Sequence, residues 1–296
     1  MKPPKTYTEQ LDILKSRGLT ILNPTEAEQC LSRFNYYRLS VYGIPFQEPR
    51  DVFRPGTTFE QICQLYEFDR QLRLLIAEAL EIIEVAVRAR VAYYFAHTYG
   101  AKGHEQKENF PVKSEHFSHD DWLKRLYDDI QNSKEVFIAH HKAKYSEEFP
   151  SVPIWVAVEV MSLGSLSKFV GGMHFKDQKA IASRFSCTAA YFPNWLHVFT
   201  YVRNICDHHS RLWNKKTVKS LRLPNGDTNW NALERNKIGA VIFALCHILQ
   251  AIDKPTSASF SQRIKELINE PKPLPDVPRH MGFLDNWQSH PLWTPR

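Results

Sequence analysis

The sequence predicts an all-α protein, and three observations carry that expectation. Apolar residues recur at threes and fours over most of the 296 residues. No stretch sustains the period-two alternation that a large sheet needs, which leaves room for no more than a short hairpin around 36–55. Prolines and glycines punctuate the periodic segments.

Taken in order, helices are predicted at 6–17 and 24–35, the second opened by Pro24. The clearest helix is 58–98. Ile62, Leu65, Tyr66, Leu72, Leu75, Ile76, Ala79, Leu80, Ile83, Val87 and Val91 form its apolar stripe. Glu67, Arg70, Arg73, Glu78, Glu81, Glu84, Arg88 and Arg90 fill the other face. Gly56-Thr57-Thr58 starts it and Gly100 stops it. A helix this long without Pro or Gly has room for a kink or a break in two. The polar segment 99–119 reads as a loop, serving as a boundary or a substrate-contacting insertion. Further helices are predicted at 120–144, 152–170, 176–185, 189–212, 229–251 and 258–269. Pro150, Pro153, Gly171-Gly172, Pro224 and Pro255 punctuate them, and Pro193 sits in a first turn. The most apolar stretch, 238–252, is too short to span a bilayer and holds His247 and Gln250, so it reads as a buried core helix. From 271 the chain is Pro-rich but carries Trp287 and Trp293, which suggests a strap packed on the core. One unit over 1–296 is expected, with an N-terminal helical and aromatic region (1–57), a helical core (58–270) and the strap (271–296).

Hydrophobic residues at 43% and charged residues at 24% describe an ordinary globular chain and exclude wholesale disorder. Five cysteines (30, 63, 187, 206 and 246) lie far apart with no CxxC, which argues against a disulfide framework and a cysteine zinc site. The first residues, MKPPKTYTEQLDILKSRG, hold no apolar run of the secretory kind. A soluble, reduced, cytoplasmic protein is expected, with no membrane partner. Thirty-eight basic residues against 32 acidic give a net charge of +6, which suits a nucleic-acid partner without requiring one.

The segment that carries chemistry is WLHVFTYVRNICDHHSRLWNKKTVKSLR, 195–222. Within it, Arg203-Asn204 is followed after three residues by His208. RNA can be cleaved without a metal when its 2′-hydroxyl attacks the neighbouring phosphate. A histidine near neutral pKa can carry the proton to or from a reacting oxygen. An arginine can hold the phosphate bidentately and stabilise its growing charge. An asparagine can fix a phosphate or a rotamer. Five residues turn an ideal helix by 500°, which leaves Arg203 and His208 about 140° apart in projection. They would converge at a helix edge or across two copies of the helix. Asp207 stands at i+4 from Arg203, the natural spacing of an ion pair. By spacing alone the Arg–His pair is common.

The chain resembles the Abi-like family of bacterial abortive-infection proteins, of the AbiD/AbiF type. The matching segments are RFNYYRLSVYGIPF (33–46), the helix 59–100, WVAVEVMSLGSLSKFV (155–170), WLHVFTYVRNICDHHSRLWN (195–214) and MGFLDNWQSHPLW (281–293). The resemblance implies a HEPN-like helical bundle with additional N-terminal and C-terminal elements. It implies a metal-independent endoribonuclease in phage defence, with Arg203, Asn204 and His208 as its catalytic residues and no cofactor. It also implies a homodimer, because HEPN nucleases build one site from two such motifs, and RNA as substrate and as a small non-coding regulator. Members often carry a small residue where this chain has Asp207. Whether Asp207 pairs with Arg203, weakening phosphate binding, or with His208, favouring the imidazolium, stays open at this point.

Several other candidates accompany the motif. Arg211, Lys215, Lys216, Lys219 and Arg222 follow it with no acid, as a phosphate-tracking edge or a solvated basic face. Trp213 reads as a core cap rather than a stacking base platform. Arg90 and His97 repeat the motif in a looser form, with Arg90 as a surface residue. His116, His119 and Asp120, and the pair His140-His141, read as surface or loop residues rather than a metal site. Around 33–46 the aromatic and basic residues interleave. Tyr37 and Tyr42 read as packed, while Arg38 is a candidate RNA contact. Glu78, Glu81 and Glu84 read as a solvated face. The alternative to an enzyme is a non-catalytic helical RNA- or protein-binding module whose Arg–His pair is structural or binds phosphate.

Overall fold

The computed structural model describes residues 3–111, 117–224, 226, 230, 233–270, 273, 276–283 and 287–293. Thr6 opens the first helix, α1 (Tyr7–Ser16), with a capping box shared with Glu9. Asn23 accepts the Glu26 amide and Pro24 sets the first turn of α2 (Pro24–Phe34). Asn35, at φ 52°, ends α2, and its side chain accepts the Tyr37 amide to start α3 (Tyr36–Gly43). The stretch 36–55, which left room for a short hairpin, is thus helical over its first half, with one isolated bridge between Gln47 and Phe53. An asparagine that can both terminate and cap a helix leaves the next eight residues free to wind.

A second capping box, Thr58 with Gln61, starts α4 (Phe59–Tyr99), and Gly100 at φ 83° stops it. It is one unbroken helix of 41 residues, roughly 60 Å at 1.5 Å per residue. Its continuity has a physical source in what surrounds it. The helix packs against α3, α7 (Ile154–Val160), α10 (Phe192–Asp207), α11 (Ile238–Ile252) and α12 (Lys254–Asn269). That encasement also corrects the expected polar face, because Arg73 and Glu84 are buried along with Asp69.

The predicted helix 120–144 is two helices, α5 (His119–Asn132) and α6 (Val136–Lys144). Between them the Ser133 hydroxyl accepts the Glu135 amide at 3.3 Å, a local bond that competes with helix continuation. The predicted 152–170 likewise divides into α7 and α8 (Leu163–Gly172), because Ser162 caps a new start through the Ser165 amide. α9 (Phe175–Ala182) follows. α10 is shorter than expected at both ends, and α11 begins later than expected; residues 229, 231 and 232 of that expectation lie outside the described residues.

Over 99–111 the segment is not the plain polar loop expected; residues 112–116 of that expectation lie outside the described residues. Two 3-10 turns, Gly103–Glu105 and Lys107–Asn109, fold it against the core with His104 and Phe110 buried. α11 is buried along almost its whole length and forms the centre of the core with α4 and α12. Beyond α13 (Val277–His280), Trp293 packs on Phe243 with ring centroids 4.7 Å apart, and its indole N–H donates to the Trp287 carbonyl. The fold is all-α, with no strand among the described residues.

Candidate active site

α10 is amphipathic, and its two edges do different work. Trp195, Leu196, Val198, Phe199, Val202, Ile205 and Cys206 are buried against α4, α8 and α11. Arg203, Asn204 and Asp207 emerge on the other edge at its last turn. His208 is the C-cap residue, exposed, with its backbone N–H donating to the Asn204 carbonyl at 3.0 Å. His209 then takes φ 53° and turns the chain away. The structure therefore places all three expected catalytic residues at one exposed helix end.

Asp207 resolves toward Arg203. Its Oδ2 lies 3.0 Å from Arg203 Nε, with the two side chains 40% and 46% exposed. One edge of the guanidinium is engaged, while an arginine offers five N–H donors in all. A helix C-terminus carries negative partial charge and by itself disfavours an anion, so positive side chains must supply the attraction for a phosphate.

Those charges come from the segment that follows. It runs back along α10 to the helix's beginning. Asn194 Nδ2 donates to the Ser220 carbonyl at 3.2 Å, the Arg222 amide donates to Asn194 Oδ1 at 2.7 Å, and Trp195 Nε1 donates to the Arg222 carbonyl at 2.6 Å. Lys216 and Lys219 are exposed along this return. Lys215 places its ammonium 5.9 Å from the Tyr201 ring centroid. Arg211 is more structural than expected, donating to the Val41 carbonyl at 2.9 Å. Arg38 likewise donates to the His209 carbonyl at 2.7 Å. Both arginines keep further donors on the wall of a cleft of about 330 Å³, shared with Lys215. Arg203 and His208 are not among the residues that line that cleft.

The residues missed in the sequence lie beneath this end of α10. Asp69 is fully buried and accepts the Tyr42 hydroxyl at 2.6 Å, Arg73 Nη1 at 2.5 Å, and the backbone amides of Leu212 and Trp213 at 3.1 and 2.8 Å. Arg73 also donates to the Ser210 carbonyl at 3.3 Å. Burial raises the Asp69 pKa, and the Arg73 charge together with the donors from Tyr42, Leu212 and Trp213 opposes that rise. Burial first, then Asp69, pushes the Tyr42 hydroxyl up in turn. A signal for this latch existed: Asp69 and Arg73 occupy stripe positions of α4, where an apolar residue is otherwise expected.

Other candidates sort differently. Trp213 is fully buried, as a core cap should be. Tyr42 is buried, but Tyr37 is 81% exposed, against expectation. Arg90 is half-buried rather than a surface residue, reaching the Ala180 carbonyl at 3.5 Å, and His97 Nδ1 lies 2.7 Å from the Tyr93 carbonyl. Glu84 is buried on Arg88 at 2.5 Å, so the three carboxylates do not form one solvated face. His119 is buried with Nε2 at 2.9 Å from the His104 carbonyl, correcting its surface reading; His116 lies outside the described residues. His140 and His141 sit on α6, with His140 exposed. Among the described residues no three His, Cys, Asp or Glu side chains gather around a metal-sized space, and no helix is long and apolar enough to cross a membrane.

The fold and site define an all-helical protein that presents an arginine, an asparagine and a histidine at the end of a helix along which a basic segment returns. The profile of the family described as Abi-like protein matches residues 29–214, more than half of the chain, and the chain belongs to that family. Membership points to abortive infection, a defence response to phage. No curated protein matches the chain, and no solved structure matches it.

Proposed function

We propose that the chain is a metal-independent endoribonuclease of the HEPN kind, acting in phage defence in the bacterial cytoplasm. The observation that carries this reading is the placement of Arg203, Asn204 and His208 at one solvent-reached helix end, with a basic segment running back along the same helix. His208 moves the proton between solvent and the reacting oxygens. Arg203 stabilises the charge that grows on the phosphate, and Asn204 holds a phosphate oxygen or a rotamer. The 2′-hydroxyl attacks the adjacent phosphorus, the bond to the 5′-oxygen breaks, and a 2′,3′-cyclic phosphate remains. Two motifs from a two-fold dimer complete the site, because a single exposed helix end encloses no substrate. A small non-coding RNA regulates the activity by occupying the same basic surface.

The test is cleavage of RNA in EDTA, with DNA of the same sequence as control. His208→Ala is expected to lose about 10²–10⁴-fold in rate and Arg203→Ala about 10²–10³-fold, with unchanged melting temperatures. A folded His208→Ala protein with full cleavage removes the reading. The binding-module alternative draws on the Arg203–Asp207 ion pair, since an arginine already paired can be structural. It predicts RNA binding with no cyclic-phosphate product.

A further inference from the structure

A second, larger cleft of about 1010 Å³ lies on the opposite side of α3 from the Arg38–His209 contact, between α1, α2 and the turn after α3. Its walls carry Lys5, Arg17, Arg33 and Arg50, against the single carboxylate of Asp51 among the described lining residues. Asp51 is paired with Arg17 at 3.0 Å, so the remaining charge of the wall is positive. Three tyrosines share the cleft: Tyr7 and Tyr37 are 45% and 81% exposed, and Tyr36 stands edge-on to Tyr37 with centroids 5.8 Å apart. Gln10 adds a side-chain oxygen, shielded from solvent, that meets no donor among the described residues.

Exposing a tyrosine ring this fully leaves apolar area in water that burial would remove, so Tyr37 gains little for the fold beyond its edge contact with Tyr36. Cations that track a backbone and aromatic faces that take bases are the two parts of a single-strand site. At about 1010 Å³ the space is at the upper end of what small-ligand pockets reach, with room for more than one base. It suits a run of nucleotides.

We propose that this cleft binds a single-stranded stretch of RNA, with Lys5, Arg33 and Arg50 on its phosphates and Tyr7 and Tyr37 stacked on its bases. The proposal rests on the function above only in naming RNA rather than DNA as the strand. The cleft is a binding site separate from Arg203 and His208, with α3 between the two. It engages RNA on one face of α3, while the other face holds the chain just after the motif through Arg38.

The experiment measures binding in the His208→Ala full-length protein, so that cleavage does not interfere. The probe is a fluorescein-labelled oligouridylate of about 12 nucleotides, a length within the site sizes of known single-strand binders, followed by anisotropy across a salt series. Tyr37→Ala should weaken binding about five- to a hundredfold, the range for losing one stacking platform. Tyr37→Phe should retain it. Arg33→Gln should lower the salt slope by about 0.7, one phosphate contact on a single strand. Melting temperature should not change in any of these, since both side chains face solvent. Unchanged affinity in both Tyr37→Ala and Arg33→Gln overturns the proposal, as does a parent protein that fails to bind the probe. The catalytic reading fails separately, through cleavage that survives His208→Ala, and Tyr37-dependent binding then leaves the cleft standing alone.

Discussion

The carboxylate of Asp69 accepts the backbone amide of Trp213 at 2.8 Å, joining the first third of the long helix to the chain that leaves the Arg–His motif. The two residues are far apart in sequence, and the bond ties down the chain just after α10. A charged group buried with its partner adds little net stability, but removing one member leaves the other uncompensated. Asp69→Ala should cost about 3–5 kcal/mol, read as a lower denaturant midpoint. Asp69→Ala combined with Arg73→Met should recover part of that loss. Equal stability of the single and double variants would contradict a coupled latch.

Asp207 competes for Arg203. An exposed pair at this spacing contributes only about 0.3–0.5 kcal/mol, so Asp207→Asn should leave the melting temperature almost unchanged. If Arg203 meets phosphate, freeing its Nε edge should tighten RNA binding up to about twofold, the equivalent of that energy. Titration of labelled RNA in the His208→Ala background reads this directly. Weaker binding would place Asp207 among the groups that hold the substrate.

His104 supplies a pH dependence. Burial, then the charges of His119 and Lys102, pull its pKa down to about 3. Neither ring nitrogen has a hydrogen-bond partner among the described residues. The folded pKa lies below the unfolded value near 6.5, so the unfolded chain binds the extra proton between them. This contribution is therefore fully present above about pH 6.5 and declines as pH falls toward 3, by up to about 1.4 kcal/mol per pH unit. His104→Leu should flatten the acid side of the stability profile against the parent. Parallel profiles for the two proteins would discount His104 as the proton-linked group.

Cys30 and Cys63 bring their sulfurs within 3.1 Å across α2 and α4, while all five described cysteines are free thiols. The hydrogen bond from Cys63 lowers the Cys30 pKa and raises that of Cys63, making Cys30 the more readily ionised sulfur. Oxidised glutathione should convert this pair to a disulfide before any other, with the two electrons passing to the glutathione. Closing a loop of this length stabilises by up to about 3–4 kcal/mol in the chain-entropy estimate. Peptide mapping without reductant identifies the link, and a Cys30→Ser protein should lack it. Wide sequence spacing argues against a disulfide framework but says nothing about which distant helices meet.

The all-α class was legible because burial imposes the 3.6 period on each segment. The Arg203–His208 helix was legible for the same reason: Trp195, Leu196, Phe199 and Val202 mark its inner edge. Helix breaks at Ser133 and Ser162 were not, since a single hydroxyl on a neighbouring amide decides them. The polar face assigned to α4 misplaced Arg73 and Glu84: both fall on its apolar stripe, and a charge is buried there only where the fold gives it a partner, Asp69 for Arg73 and Arg88 for Glu84. The partner of Asp207 was left open between Arg203 and His208, and the structure uses the i+4 spacing to Arg203. Tyr37 and Tyr42, five residues apart on one short helix, ended on opposite sides of the burial boundary because only the fold decides which face of α3 meets α4.

The uninterrupted α4 also sets how the protein breathes. Its central turns serve as a wall for helices from both ends of the chain, so no part of that stretch can open without releasing its neighbours. Amide protons around Leu72–Leu80 should exchange with solvent only when the whole molecule opens. α6, with Ile138 as its one buried side chain, should exchange long before. The protein is thus a slow-exchanging spine with fast-exchanging flanks, and the chain that carries Arg203 and His208 is fastened to the spine.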